Sequence, residues 1–142
     1  MSWLLDTNAV SELQIKKINH GFREWWSSLN QSLEDVFLCA PVLGELIRGA
    51  LLPRVSVSKR QLLLNWIDRD LSDAFGDRIL PFDKAVARTW GEVAASIPRA
   101  RVLPALDSYV AAIAIHHDLI LVTRNISDMA VFKGLKVHSP WS

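Results

Sequence analysis

Six residues near the start of the chain, Trp3-Leu4-Leu5-Asp6-Thr7-Asn8, constrain the fold more than any other stretch. A short run that is apolar throughout is typical of a strand buried on both faces of a parallel sheet. Asp6 follows the predicted strand end, and ligands of open α/β sheets bind outside the carboxyl ends of strands. Asp6 could simply cap the next helix, because Asp is a good N-cap residue. Its role therefore depends on whether other acids converge on it.

Apolar runs alternate with helical patterns along the rest of the chain. Further strands are predicted at Val36 to Ala40, Ile79-Leu80 and Leu119 to Val122, with an edge strand before His138. Amphipathic spacing predicts helices over 21–33, 42–52, 59–75, 83–97 and 104–117. This alternation predicts a three-layer α/β domain with a mainly parallel sheet and right-handed crossovers. A length of 142 residues fits one domain, 1–142.

Composition and missing motifs limit the classes of protein to which this chain can belong. The 16 basic and 15 acidic residues nearly balance, which argues neither for nor against a nucleic-acid partner. Cys39 is the only cysteine, so no internal disulfide can form and a reducing cytoplasm is expected. No apolar run approaches the roughly 18 residues of a membrane span, so a soluble protein without a membrane partner is expected. Phosphate-loop, dinucleotide-binding and serine-hydrolase motifs are absent from the sequence.

Acidic and amide side chains follow the predicted strands. Asp6 ends the first strand, Glu45 follows the second in what the pattern predicts as a first helical turn, and Asp107 opens a later helix. Asn125 and Asp128 follow the strand after that. Because parallel strands share one carboxyl edge, these residues can meet there, although each acid could instead stabilise its own helix start.

Several carboxylates in one cleft raise one another's pKa, and a divalent cation removes that conflict. Oxygen ligands select Mg²⁺ or Mn²⁺, whereas zinc sites need His or Cys at spacings that this sequence lacks. Such an ion lowers the pKa of a bound water and neutralises charge on a phosphoryl group. The pattern therefore indicates hydrolysis of a phosphodiester by a metal-activated water.

Four motifs, in order, resemble those of PIN-domain ribonucleases, and most closely VapC-like toxins of toxin–antitoxin pairs. They are Leu4-Leu5-Asp6-Thr7-Asn8, Gly44-Glu45-Leu46 with Gly49, Pro104 with Asp107 and Ala111-Ala112, and Leu121-Val122-Thr123-Arg124-Asn125. The ending Pro140-Trp141 resembles the FitB-like branch. The resemblance implies a PIN-like sheet of about five strands flanked by helices, a Mg²⁺- or Mn²⁺-dependent endoribonuclease, a homodimer and a cognate antitoxin.

The resemblance also implies residue roles. Asp6, Glu45 and Asp107 match the family's core acids and would hold the metal. Asn125 stands where many members have a fourth acid, so either Asn125 or the nearby Asp128 would complete the catalytic set. Supporting roles are expected for Thr7, Asn8 and Thr123, although helix capping explains Thr7 and Asn8 almost as well. Because guanidinium binds phosphate with two hydrogen bonds, RNA contacts are expected for Arg99, Arg101 and Arg124, although ordinary surface pairing explains these arginines equally well. Asn125 also keeps open a binding module that holds RNA or protein without cutting, and DNA remains a possible substrate.

Overall fold

A computed structural model of the chain describes residues 1–29, 33–98 and 102–142. Its five strands form one sheet in the order β3-β2-β1-β4-β5, and every neighbouring pair is parallel. The strands are β1 (Trp3–Leu5), β2 (Val36–Cys39), β3 (Ile79–Leu80), β4 (Ile120–Val122) and β5 (Lys136–His138). The predicted α/β class and parallel sheet are confirmed.

The sheet reverses its direction of growth between β1 and β4. The chain runs from β1 outward to β2 and β3, then returns to the other side of β1 for β4 and β5. Backbone hydrogen bonds continue past the strand ends: Asp6 N–H donates to Val122 O at 3.1 Å, and Thr123 N–H donates to His138 O at 3.0 Å. Such a switch point opens a crevice at the carboxyl edge, where ligands bind in open α/β sheets.

Helices flank this sheet and connect its strands. They are α1 (Thr7–Glu12), α2 (His20–Ser28), α3 (Ala40–Ala50), α4 (Val57–Asn65), α5 (Ser72–Phe75), α6 (Lys84–Ala95), α7 (Ala105–His116) and α8 (Ile126–Met129). Within the three described ranges, no helix has both the length and the apolar character that crossing a bilayer requires.

Two of the predicted helices are interrupted or shorter in the structure. The helix predicted over 21–33 ends at Ser28, residues 30–32 lie outside the described residues, and Leu33 begins a short 3-10 turn. The helix predicted over 59–75 begins at Val57 and includes a π-helical segment, Trp66–Leu71, between α4 and α5. Its amphipathic stripe could not reveal this change, because the apolar spacing continues through the wider turn.

Both faces of the sheet are buried. Leu4 and Leu5 are neighbours in β1 and therefore point to opposite faces, yet both are 0% exposed. Helices consequently cover both sides, as in a three-layer domain. Helix α7 is buried from Val110 to Ala114, so it belongs to the core rather than to the surface. This burial fixes the position of its first turn against the sheet edge.

The last residues of the chain pack against the start of α2. Gly21, in the first turn of α2, lies so close to this tail that an added Cβ would sit 2.4 Å from the carbonyl oxygen of Pro140. No Cβ contact of that length is tolerated, so the tail or the helix would have to move. A Cβ added at Gly91, in α6, would instead enter open space, with no packed neighbour among the described residues within 4 Å.

We expect Gly21→Ala to lower the free energy of unfolding by about 1–3 kcal/mol, the usual cost of overpacking. Gly91→Ala is the matched control, because it makes the same change inside a helix with open space. It should be neutral or stabilise by up to about 1 kcal/mol. Urea denaturation of both variants measures the difference, and equal stabilities would contradict the observed docking of the tail.

Candidate active site

A cleft of about 130 Å³ lies at the carboxyl edge of the sheet, beside the ends of β1 and β4. Polar side chains dominate its wall. Its lining residues are Asp6, Thr7, Asn8, Glu45, Leu106, Asp107, Val110, Thr123, Asn125 and Met129. The three acids predicted to meet therefore line one cleft, although they are separated by up to 101 positions in the sequence.

Asp6 caps α1 and lines the cleft at the same time. Its Oδ1 accepts a hydrogen bond from Ala9 N–H at 2.9 Å, and the residue is only 8% exposed. The Thr123 hydroxyl lines the same cleft and lowers the pKa of this carboxyl. Because Thr123 Oγ1 accepts from Asn125 N–H at 3.1 Å, its own proton is free to point at Asp6. The capping interpretation of Asp6 is thus correct and does not exclude a site role.

Glu45 reaches the cleft from α3, but not from the turn predicted for it. Helix α3 begins at Ala40, two residues before the predicted start, so its first turn contains no acid and Glu45 lies in the second. The prediction of a first-turn position was wrong because Pro41 was taken to mark the junction, whereas the helix includes it. The helix dipole therefore stabilises Glu45 less than expected, since that effect fades beyond the first turn.

Asp107 lies in the first turn of α7, as predicted, and is half-buried. The next residue, Ser108, is 1% exposed and holds this turn in place. Its hydroxyl donates to Ala105 O at 2.7 Å and accepts from Trp90 Nε1–H at 2.9 Å. Helix α6 thereby holds the end of α7 that carries Asp107.

The two candidates for a fourth position take different places. Asn125 lines the acid cleft, whereas Asp128, in α8, lies outside it. Asp128 and Asp107 together line a neighbouring cavity. Asp128 still acts on the site, because its charge raises the pKa of Asp107.

Burial and like charge raise the pKa of two of these acids. Burial is the main cause for Asp6, and the charges of Asp107 and Glu45 add to it, while the hydrogen bonds from Thr123 and Ala9 oppose it. For Asp107, burial is again the main cause of the raised pKa, followed by the charges of Asp128 and Glu45. The acids are therefore near enough to repel one another.

The donor set suits a hard, partly hydrated cation. Among the described residues, no three His, Cys, Asp or Glu side chains stand close enough to ligate one ion together. Mg²⁺ keeps several waters and usually takes only one or two carboxylates directly, so the oxygens in this cleft fit it. Cys39 offers no soft ligand, because it is 0% exposed and burial raises the pKa of its thiol to about 12.

The structure describes one of the three predicted RNA-binding arginines. Arg124 is exposed, next to Asn125, and its guanidinium carbon lies 5.7 Å from the centre of the Trp141 ring. Arg99 and Arg101 lie outside the described residues. Leu106 and Val110 also form part of the cleft wall, which was not predicted. Their spacing around Asp107 in a helix was the available signal.

We expect Asp6→Asn to stabilise the metal-free protein at neutral pH. The folded-state pKa of Asp6 is raised above its ordinary value of 3.8, so folding favours the protonated carboxyl. This contribution is complete below the unfolded-state pKa and is lost as pH rises through the folded-state pKa. Asn removes the charge and keeps the cap. The melting temperature in EDTA should therefore exceed that of the parent at pH 7, and the difference should shrink as pH falls.

Asp83→Asn is the matched control for this pH series. Asp83 caps α6 by accepting from Val86 N–H at 3.0 Å, and it is exposed and outside the acid cleft. Its replacement should not produce a gain in melting temperature that grows with pH. A parent that is more stable than Asp6→Asn at pH 7 without metal would contradict the described electrostatics.

Several known proteins are similar to this chain in fold and in sequence. Residues 3–130 match the PIN domain family. The chain is 33% identical to the toxin FitB of Neisseria gonorrhoeae, over 97% of each protein. It is 29% identical to the VapC ribonuclease Y4jK of Sinorhizobium fredii, over 97% of this chain and 96% of that one. The crystal structure of FitAcB from N. gonorrhoeae matches with a TM-score of 0.85 and 33% identity, over 98% of both chains. The resemblance stated from the four motifs is confirmed, and this chain belongs to the PIN-domain family.

Proposed function

We propose that this PIN-domain protein is a Mg²⁺-dependent endoribonuclease and the toxin of a toxin–antitoxin pair, with Mn²⁺ able to replace Mg²⁺. The observation that carries the proposal is the meeting of Asp6, Glu45 and Asp107 in one cleft at the switch point of the sheet. The toxin FitB and the VapC ribonuclease Y4jK, to which the chain is similar over nearly its whole length, support it.

Asp6 and Asp107 are proposed to hold the cation, because both carboxylates are partly desolvated and repel one another without it. The bound ion would supply a water of lowered pKa and neutralise charge developing on the phosphoryl group. Glu45 would orient that water or take its proton. The Asn125 amide would hold a further water by hydrogen bonding.

Other residues would keep these groups in place. The Thr123 hydroxyl and Ala9 N–H fix the orientation of the Asp6 carboxylate, and Asp6 in turn begins α1. Thr7 and Asn8 line the same cleft from the first turn of α1. Their proposed role is to hydrogen-bond the acids or the waters between them.

The cognate antitoxin is proposed to silence the protein by placing an Arg or Lys side chain in the acidic cleft. A basic side chain there would replace the charge of the cation, since it satisfies the same carboxylates. We further propose that the protein acts on RNA, since one of its relatives carries the name of a ribonuclease. The family resemblance implies that it does so as a homodimer, and its single buried cysteine fits the cytoplasm.

A second candidate function is a binding module that holds RNA or protein without cutting it. The observation that favours it is the absence, among the described residues, of three acidic side chains close enough to share one ion. Asn125 at the place of a fourth acid points the same way. DNA is the remaining alternative substrate. Cleavage assays with single-stranded DNA and with RNA, run side by side, show which of the two the protein cuts.

We expect Asp6→Asn to reduce cleavage of total cellular RNA at least about 100-fold in Mg²⁺, the scale of losing one preorganised electrostatic group. The fold should remain, because Asn keeps the helix cap. Asp73→Asn, an exposed acid of α5 outside the cleft, is the control and should cleave like the parent. Equal cleavage by Asp6→Asn and the parent would refute the catalytic assignment.

Calorimetric titration with Mn²⁺ separates the nuclease from the binding module. The nuclease proposal predicts saturable Mn²⁺ binding in the micromolar to millimolar range and its loss in Asp107→Asn, because that change removes a proposed ligand. The binding should weaken as pH falls, since the raised pKa of Asp107 lets protons compete with the metal at a higher pH than for an ordinary aspartate. Absence of binding at millimolar Mn²⁺ would favour the module.

A further inference from the structure

A buried carboxylate outside the cleft holds the end of the chain. Glu12, at the end of α1, is only 6% exposed. Its Oε1 accepts from Trp141 Nε1–H at 2.9 Å, and its Oε2 accepts from Asn19 N–H at 3.2 Å. A buried carboxylate is costly unless it is hydrogen-bonded, so these two donors make Glu12 a strong anchor for the Trp141 indole.

Further contacts fasten the last residues to the start of α2. Ser142 N–H donates to Asn19 Oδ1 at 3.1 Å, and Asn19 Nδ2 donates back to Ser142 O at 3.2 Å. Gly21 N–H donates to Ser142 Oγ at 3.1 Å. The Trp141 ring also packs against Phe22, with 5.0 Å between the ring centres. The indole is therefore held in one position and presents a fixed aromatic surface.

Arg124 lies over that aromatic surface, beside the acid cleft. It stands between Thr123 and Asn125, both of which line the cleft. Its guanidinium contacts Trp141 and, in the part of the chain that the structure describes, forms no ion pair. A cation–π contact leaves the full charge and the N–H donors of the guanidinium available, whereas a salt bridge would occupy them.

We propose that Arg124 binds an RNA phosphate at the rim of the cleft, and that Trp141 and Glu12 are positioning residues that hold it there. This inference rests on RNA being the ligand of the cleft, as the proposed function implies. An acidic cleft repels RNA, so a nearby cation that does not neutralise the acids helps the substrate to approach. Guanidinium can bind a phosphate with two parallel hydrogen bonds.

Because Arg124 is already ordered by the Trp141 ring, it also lowers the entropic cost of binding RNA. An exposed arginine loses rotamer freedom when it contacts a ligand, and a side chain already ordered loses less. The hydrogen bond from Trp141 to Glu12 fixes the position of the indole ring. The ring restricts the conformations of the Arg124 guanidinium, which then binds the phosphate. Trp141 should therefore affect RNA binding only through Arg124.

The test measures binding of a fluorescently labelled oligoribonucleotide pool of randomised sequence by anisotropy, in EDTA so that binding is observed without metal-dependent cleavage. Arg124→Ala should raise the dissociation constant about 10-fold, as expected for one charge-assisted hydrogen-bonded contact. It should also reduce the slope of log K against log salt by about 0.7, the value for one phosphate of a single strand.

Two substitutions of Trp141 test what its aromatic ring contributes once the hydrogen bond to Glu12 is lost. Both Trp141→Phe and Trp141→Leu remove the donor to Glu12, but only Phe keeps a ring for Arg124. Trp141→Leu should raise the dissociation constant about 2- to 5-fold, in keeping with an exposed cation–π contact. Trp141→Phe should fall between the parent and Trp141→Leu, because it keeps a ring for Arg124 but loses the hydrogen bond to Glu12 that fixes the ring. Equal weakening by Phe and Leu would overturn the positioning role.

A double-mutant cycle tests whether Trp141 acts through Arg124. In the Arg124→Ala background, Trp141→Leu should weaken RNA binding no further, because the group that it positions is gone. Additive effects would show that the tail supports the fold in general and would overturn the inference. Melting temperatures of all variants accompany the binding data, and loss of stability alone should not change the salt slope.

The outcomes distinguish this inference from the proposed function. If the parent cleaves the pool in Mg²⁺ or Mn²⁺ while Arg124→Ala binds RNA as tightly as the parent, the nuclease stands and the inference fails. If the parent and variants bind as predicted but the parent cuts nothing with either ion, the inference stands and the nuclease proposal fails. A parent that does not bind the RNA pool overturns the inference.

Discussion

Mutual repulsion of carboxylates at one edge of the sheet is the constraint on which this site depends. Asp6 and Asp107 are partly withdrawn from water, and each lies within the field of other acids. Such an arrangement costs stability in the metal-free protein, so the rest of the fold must hold the acids together. The buried strands and α7 supply that support, because their apolar burial greatly exceeds what a few carboxylates can oppose.

The topology explains why the acids meet where they do. Asp6 follows β1 and Thr123 follows β4, the neighbouring strands at the switch point, and both residues line the cleft there. Thr123 links the two sides, since its Oγ1 accepts from Asn125 N–H and its hydroxyl lowers the pKa of Asp6. One hydroxyl thus joins the ends of two neighbouring strands. Asp6 also caps α1, so the same carboxylate stabilises local structure and takes part in the site.

Much of the site could be predicted because its signals are local. An apolar run followed by Asp6-Thr7-Asn8 identifies a strand end, and Asp107 stands in a helix start that Pro104 marks. The prediction that Glu45 lies in the first turn of α3 was wrong, because a proline near a helix start does not specify which residue begins the helix. The places of Asn125 inside the cleft and Asp128 outside it could not be predicted, since one helical turn separates them and only the packing of α8 decides which faces inward.

The sequence by itself determined the alternation of strands and helices, the oxygen-only donor set and the PIN-domain family, because residue types and short spacings are enough to identify each of them. The tertiary structure alone decided which distant groups touch. Glu12 meets Trp141 across 129 positions, and Arg124 meets the same indole. Such contacts depend on the sheet order and on the exact docking of the tail beside Gly21, which arise from the packing of the whole chain. No local pattern can encode them, since each partner alone is an ordinary residue.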